Sequence, residues 1–201
     1  MKTTLRLADD GVGIFEKIMD HFGLDSIDEA VAELFKGKLT TDRAHHSGEG
    51  IFFSSRLADS FAIVSSGKIF SHDRFDGDDF CEDLPEKGTI VYATLANNSA
   101  KEAKDVFDLY DDPDSGFTRT SIPLKHYFES APVSRSQAKR LCAGLEKFRT
   151  VEMDFEGLDW MGQGFADQLF RVFVNEYPDT EIIPLNMCPD VLKMYRHVTA
   201  G

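Results

Sequence analysis

Apolar residues near the start of the chain recur first with the spacing of a strand and then with that of helices. Alternating Leu5 and Leu7 predict a strand over residues 3–8. Apolar residues three to four apart then predict a short helix that ends at Gly23. Ser26-x-x-Glu29 has the form of a capping box, which predicts a second helix. The two apolar stripes, which we assign to the core, are Ile14, Ile18, Met19 and Phe22, and Ile27, Ala30, Val31, Leu34 and Phe35.

A polar loop follows Gly37 and leads to the sequence Gly48-Glu49-Gly50. Helical spacing of apolar residues resumes directly after it and predicts an amphipathic helix. The run FAIVSSGKIF predicts a β-hairpin that turns at Ser66-Gly67, and GTIVYATL predicts a strand over 88–95. The expected apolar face of the helix consists of Ile51, Phe52, Ser55, Ala58 and Phe61.

Two polar segments flank the predicted strand over 88–95. Residues 72–87 are acidic and rich in turn-forming residues, and they lack the ligand spacing of a calcium loop, so we expect a solvated surface loop. Ser99-x-x-Glu102 predicts the cap of another helix. The charged run 111–116, which contains Pro and Gly, predicts a linker. We therefore expect one domain over 1–112 and a second over 117–201.

The second half of the chain alternates strand and helix patterns. The runs RTSIPL, TVEMDF and EIIPL predict strands. Ser134-x-x-Gln137 predicts a capped helix, a second helix is expected over 165–173, and a third closes the chain. Such alternation predicts a small sheet with helices packed on it, so the fold class is α/β.

Composition and charge narrow the range of functions. The chain has 201 residues, 42% of them hydrophobic, and a formal net charge of −13. This charge argues against binding of nucleic acid or anionic membrane through bulk electrostatics. Apolar runs are too short to span a membrane, and the three cysteines lack zinc or disulfide spacing. We expect a cytoplasmic protein.

The glycines before the third predicted helix point to anion binding. Glycine lets the backbone approach a ligand closely, and the first turn of a helix presents N–H groups at the positive end of the helix dipole. Gly48 and Gly50 therefore form a candidate phosphate site. By itself, a glycine pair of this kind is more often a simple turn.

A second glycine cluster strengthens this interpretation, because Asp9, Gly11 and Gly13 follow the first predicted strand. Asp-x-Gly-x-Gly after a strand, then a loop, then Gly-x-Gly before a helix resembles the ATP-binding domain shared by gyrase, Hsp90, histidine kinases and MutL (GHKL). The resemblance covers the C-terminal half of that domain and implies a partial two-layer α+β sandwich that binds ATP.

The resemblance also implies a role for each matching residue. Asp9 would receive the adenine amino group, Gly11 and Gly13 would shape the adenine pocket, and Gly48 and Gly50 would hold the phosphates. A mobile lid would span 35–47. Its polar candidates near the phosphates are Lys38, Thr40, Thr41, His46 and Ser47.

The chain departs from the GHKL pattern in two places. An earlier helix in that family supplies an asparagine that holds Mg²⁺, and Asn97 and Asn98 lie too late in the chain for this role. Phe52 stands where many relatives have another glycine in the phosphate loop. ATP binding, with Mg²⁺ if the upstream helix is supplied, is thus better supported than turnover, and enzymatic activity is left open.

The second half resembles the STAS-like domain of unknown function (DUF4325) over residues 117–198. Its markers are the run 134–140, Asp154-Phe155 and the run 162–167. In better-known STAS domains, the loop that corresponds to residues 160–164 carries a phosphorylatable serine. Residues 160–164 of this chain contain no hydroxyl group. Gly162 and Gly164 fit either an anion site or tight strand-to-helix packing. A basic cluster lies in the same half and consists of Ser134, Arg135, Ser136, Lys139 and Arg140. It could bind phosphate or an acidic partner, or it could be a solvated helix end.

Three functions follow from these patterns. The first is an ATP-binding regulatory protein that resembles an anti-sigma-type kinase module fused to a STAS-like domain, which would bind a protein partner. The second is a non-enzymatic interaction scaffold with a degenerate nucleotide site. The third, a regulator linked to DNA, gains no support from the acidic charge.

Overall fold

A computed structural model describes residues 1–41, 48–72, 86–128 and 130–200 of the chain. The chain divides into two compact units, which consist of residues 1–108 and 109–201. The described residues form a mixed α/β structure with three sheets, which confirms the predicted class. Within these residues, no helix is long and apolar enough to cross a membrane.

The N-terminal unit contains an antiparallel four-stranded sheet in the order β1-β4-β2-β3. The predicted hairpin is present, because β2 and β3 pair directly across Ser66 and Gly67. The strands predicted over 3–8 and 88–95 are also present. The strands are β1 (Lys2–Asp9), β2 (Ser60–Ser65), β3 (Lys68–His72) and β4 (Thr89–Ala96).

The strand register places one apolar row across the whole sheet. Leu7 pairs with Val91, Val91 with Ile63, and Ile63 with Phe70, so these four residues share one face. Phe70 is fully buried, and its ring lies 4.7 Å from that of Phe35. At the other end of the row Leu7 is 57% exposed. The helical layer therefore covers the β2–β3 part of this face.

The helices of the N-terminal unit are α1 (Ile14–Phe22), α2 (Ile27–Lys36), α3 (Gly50–Leu57) and α4 (Ala103–Asp108). The predicted cap of α2 is observed, since the Ser26 side chain accepts a hydrogen bond from the Glu29 N–H. Phe35 and Leu34 of its apolar stripe are buried, as the spacing predicts.

Two helix predictions in this unit are wrong at their ends. The helix that begins at Gly50 was expected to include Ala58 and Phe61, but α3 ends at Leu57 and Phe61 lies in β2. The chain leaves the helix because the Asp59 N–H donates to the Thr94 carbonyl and joins the sheet. Ser99 does not cap α4, because its hydroxyl accepts from the Lys101 N–H and the helix begins at Ala103.

The C-terminal unit contains a parallel sheet in the order β7-β8-β9, with strands β7 (Arg119–Pro123), β8 (Thr150–Asp154) and β9 (Glu181–Leu185). The run predicted as a linker forms a small hairpin of β5 (Asp111–Asp112) and β6 (Gly116–Phe117). Its turn is held by the Asp112 carboxylate, which accepts from the N–H groups of Asp114 and Ser115.

Helices follow each strand of the parallel sheet, as the alternating pattern predicts. Short 3₁₀ turns occur at Leu124–His126 and Leu145–Lys147. The expected capping box begins α5, where Ser134 and Gln137 each accept from the backbone N–H of the other. The helices are α5 (Arg135–Cys142), α6 (Gln163–Asp167) continued by a π-helical segment (Gln168–Phe173) and α7 (Val174–Glu176), and α8 (Pro189–Thr199).

Candidate functional site

A cavity of about 550 Å³ that is open to solvent lies between the helices of the N-terminal unit and the loop that follows α2. Its size lies within the range of small-molecule sites. One part of its wall is apolar and another part is built from hydroxyls and glycines. The described lining residues are Ile14, Lys17, Ile18, Leu34, Leu39, Thr40, Thr41, Gly48, Gly50 and Ile51.

Four of the predicted phosphate-site residues lie together around this cavity. Thr40 and Thr41 come from the loop after α2, and Gly48 and Gly50 lead into α3. The cavity also contacts Ile14, the first residue of α1, which directly follows Gly13. The two glycine clusters of the sequence thus flank elements that share one cavity.

Gly48 is required by the backbone itself. Its φ of 79° lies in the left-handed region, and a Cβ atom there would lie 2.6 Å from the carbonyl carbon of Leu39. The segments before and after the loop therefore meet through main-chain atoms. This contact is a structural reason for the glycine that does not involve a ligand.

Gly50 is different, because a Cβ atom placed on it would meet no atom of the described residues within 4 Å. It is exposed, it begins α3, and it lines the cavity. Glu49 precedes it without a side-chain capping bond, and the first N–H groups of a helix have no partner within the helix. The space at Gly50 and the positive end of the α3 dipole would both suit an anionic group.

Asp9 stands at the end of β1, where its Oδ1 accepts a hydrogen bond of 2.8 Å from the Gly11 N–H. It pairs with Thr89, which pairs with Ser65, so it shares the sheet face of Ile63. Asp9 is exposed, and neither it nor Gly11 is among the described residues that line the cavity.

Gly13 connects the sheet to α1. It is buried with a φ of 101°, and a Cβ atom on it would lie 2.7 Å from the Ser65 hydroxyl oxygen. The next residue, Ile14, donates its N–H to the Thr89 hydroxyl at 3.0 Å. The second glycine of the first cluster therefore fixes where α1 starts, while the cavity wall begins one residue later.

The remaining lid residues contribute less to the described site. Lys38 has a positive φ of 53° and does not line the described cavity. His46 and Ser47 lie outside the described residues, as does most of the acidic stretch that was expected to form a surface loop. Within the described ranges, no group of three or more His, Cys, Asp or Glu side chains is placed to hold a metal ion.

Sequence reasoning missed Lys17, which lines the cavity and is its one ionisable side chain among the described residues. Ile14, Lys17 and Ile18 are three and four residues apart on α1, so they share a helix face. The sequence spacing placed Ile14 and Ile18 on the core face of the helix. A lysine on that same face was the signal that could have indicated a polar contact there.

In the C-terminal unit, Gly162 and Gly164 serve tight packing. A Cβ atom on Gly162 would lie 2.7 Å from the Val133 carbonyl oxygen, and its N–H donates to the Pro132 carbonyl at 2.8 Å. Because this amide is already bonded to the protein, the packing alternative describes the turn better than an anion site does.

The basic cluster on α5 is partly engaged within the unit. Asp167 is 7% exposed and accepts hydrogen bonds from the guanidinium groups of Arg135 and Arg171. The bond from Arg171, together with its charge and that of Arg135, lowers the pKa of the Asp167 carboxyl below its ordinary value. Ser134 acts as the helix cap, and Lys139 is exposed.

Comparison with known proteins identifies part of this unit. Residues 137–192 match the family model of the STAS-like domain of unknown function (DUF4325), so the chain contains a STAS-like domain, as its sequence predicts. No curated protein and no solved structure matches the chain. The resemblance of residues 1–112 to the GHKL domain stays a prediction.

Proposed function

We propose that this chain is an ATP-binding regulatory protein in which the N-terminal unit holds the nucleotide and the STAS-like domain contacts a protein partner. The observation that carries this proposal is the shared cavity of Thr40, Thr41, Gly48 and Gly50. These residues were selected from the sequence as phosphate contacts, and folding brings them to one cavity with Ile14 and Ile18 of α1, which lie more than twenty positions earlier in the chain.

The wall of the cavity suits a ligand with an apolar and an anionic part. Ile14, Ile18 and Leu34 offer an apolar surface, while Thr40 and Thr41 supply hydroxyl groups that can donate to phosphate oxygens. The start of α3 adds backbone N–H groups at the positive end of a helix dipole. ATP supplies the purine and the phosphates that such a site would accommodate.

Asp9 is proposed to receive the adenine amino group at the edge of the site. Its Oδ1 is bonded to the Gly11 N–H, and within the described part of the chain its Oδ2 is available as an acceptor. Because the described cavity wall begins at Ile14, this contact requires the base to extend beyond that wall toward the end of β1.

Binding is proposed without a commitment to turnover. The Asn97 side chain accepts a hydrogen bond from the Thr3 hydroxyl, which lies at the opposite end of β1 from Asp9. Asn97 is therefore unsuited to hold Mg²⁺ at the phosphates, in agreement with its place in the chain. Phosphoryl transfer depends on positioned charge and metal, so we expect binding to exceed any hydrolysis by this chain alone.

A second candidate function is a scaffold that does not bind nucleotide. It is favoured by the fact that several motif residues have structural explanations. Gly48 is required by its contact with Leu39, Gly13 by its contact with Ser65, and the Asp9 carboxylate already binds the Gly11 N–H. Gly50 is the motif residue for which the described structure gives no steric reason.

Calorimetry separates the two functions. Wild type is titrated with a non-hydrolysable ATP analogue and Mg²⁺, beside Asp9→Ala and Gly50→Val. A Cβ atom at position 50 meets no atom of the described residues within 4 Å, and valine adds bulk at the cavity wall, so we expect Gly50→Val to abolish binding while the fold is kept. Ser54→Val, an exposed change on the same helix, is the matched control and should bind like wild type. Absence of binding by wild type would favour the scaffold.

A further inference from the structure

The one ionisable side chain among the described cavity residues is Lys17. Resting on the proposed function, we infer that Lys17 is the cation that selects the phosphate tail of the nucleotide. Neither the sequence motifs nor the family resemblance assigns this role to Lys17. The sequence placed the expected lysine on the lid at Lys38, which does not line the described cavity.

Lys17 lies on the face of α1 that lines the cavity. It shares a helix face with Ile14 and Ile18, and all three line the cavity. The other two are apolar, and Ile18 is 4% exposed. A lysine in such a row can keep its methylene stem along the apolar wall while its ammonium group remains hydrated. This explains why the Lys17 side chain is exposed although its helix face is turned to the cavity.

The Lys17 ammonium group has no counter-ion among the described residues. In the part of the chain that the structure describes, the Lys17 ammonium makes no ion pair, although Glu16 and Asp20 are its neighbours on the helix. The other described lining residues include no carboxylate. The charge at this wall is therefore uncompensated by described groups, in a protein whose net charge is −13.

The triphosphate of ATP carries several negative charges. An acidic protein repels such a ligand at long range, so a local cation is needed where the phosphates enter. The N–H groups of α3 and the hydroxyls of Thr40 and Thr41 supply hydrogen bonds but no full charge. Lys17 adds that charge, and its effect should grow with the number of phosphates on the ligand.

The test measures binding of three ligands by calorimetry: the non-hydrolysable ATP analogue with Mg²⁺, ADP with Mg²⁺, and adenosine. The variants are Lys17→Met, which keeps much of the stem and removes the charge, and Lys17→Arg, which keeps the charge. Lys104→Met removes an exposed lysine from another helix of the same unit and controls for net charge. Thermal unfolding of each variant checks the fold.

We expect Lys17→Met to weaken the ATP analogue about tenfold, in line with loss of one charge-assisted hydrogen bond, and ADP by less. Adenosine should bind as it does to wild type, Lys17→Arg should retain most of the affinity, and Lys104→Met should change nothing. Wild-type affinity for the analogue should also fall with added salt more steeply than that of Lys17→Met.

Equal binding of the ATP analogue by wild type and Lys17→Met would overturn the role of Lys17 and leave the proposed nucleotide site standing. Equal weakening of adenosine and the ATP analogue would also overturn it, because a phosphate contact cannot act on a ligand without phosphate. Failure of wild type to bind any of the three ligands would instead reject the proposed function, and the role of Lys17 with it.

Discussion

A Cβ atom on Gly48 would lie 2.6 Å from the carbonyl oxygen of Leu39, so the backbone before the polar loop meets the backbone just before α3 at a position that excludes a side chain. Two residues later, a Cβ atom on Gly50 would have no atom of the described residues within 4 Å. The two glycines of one short motif therefore have different physical roles, and this difference can be measured.

We predict that Gly48→Ala costs about 2 kcal/mol or more of unfolding free energy, because left-handed strain and the clash with Leu39 add together. Gly50→Ala should stay within about 1 kcal/mol of wild type, since alanine suits a helix and its Cβ atom meets no described atom within 4 Å. Chemical denaturation followed by circular dichroism compares the two. Equal stabilities would show that the Leu39 contact does not constrain the loop.

Gly88 and Gly67 provide a matched pair for the sheet. Both have positive φ, 77° and 69°, but a Cβ atom on Gly88 would lie 2.1 Å from the Asp9 carbonyl oxygen, whereas Gly67 has open space. We predict a loss of about 3 kcal/mol or more for Gly88→Ala and of about 1 kcal/mol for Gly67→Ala. A similar loss in both variants would mean that backbone strain, and not the clash, sets the cost.

The capping box of α5 should contribute to the stability of the STAS-like unit. Ser134→Ala removes the acceptor for the Gln137 N–H and should cost about 1 kcal/mol. Lys139→Ala, an exposed change later in the same helix, is the control and should cost much less. Denaturation followed by the emission of Trp160, the one tryptophan of the chain, reports on this unit alone.

Asp167 should make the stability of the same unit sensitive to acid. Its bonds from Arg171 and Arg135 lower the folded-state pKa of the carboxyl. A depressed folded pKa contributes stability that is full above the unfolded value of about 3.9 and is lost as the pH falls through the folded value.

We therefore predict that Asp167→Asn lowers the unfolding midpoint at pH 7 and flattens its pH dependence below about pH 4. Asp179→Asn, at an exposed position, is the control and should keep the wild-type profile. Parallel midpoint-against-pH curves for wild type and Asp167→Asn would contradict the assigned ion pairs.

Local patterns were sufficient where a few neighbouring residues determine the structure. The side-chain cap at Ser26, the capping box at Ser134 and the hairpin at Ser66-Gly67 depend on contacts within a few residues, and all three are present. The end of α3 was misplaced, because the pairing of Asp59 with Thr94 depends on a strand more than thirty positions away.

The candidate site shows the same division. Motif spacing selected Gly48 and Gly50, and the structure places both at one cavity with Thr40 and Thr41. Motif spacing did not select Lys17, because a lysine on an amphipathic helix has no distinguishing pattern until the opposite wall of the cavity is known. The contact between Gly48 and Leu39 was equally hidden, since it joins main-chain atoms nine positions apart and no spacing rule predicts it.

Amide hydrogen exchange with and without a non-hydrolysable ATP analogue and Mg²⁺ tests the central claim most directly, because it reports both whether the nucleotide binds and where. The account predicts slower exchange in peptides that cover residues 14–18, 39–41 and 48–53, with the STAS-like domain as internal reference. Unchanged exchange in all three segments at a saturating concentration of the analogue would contradict it.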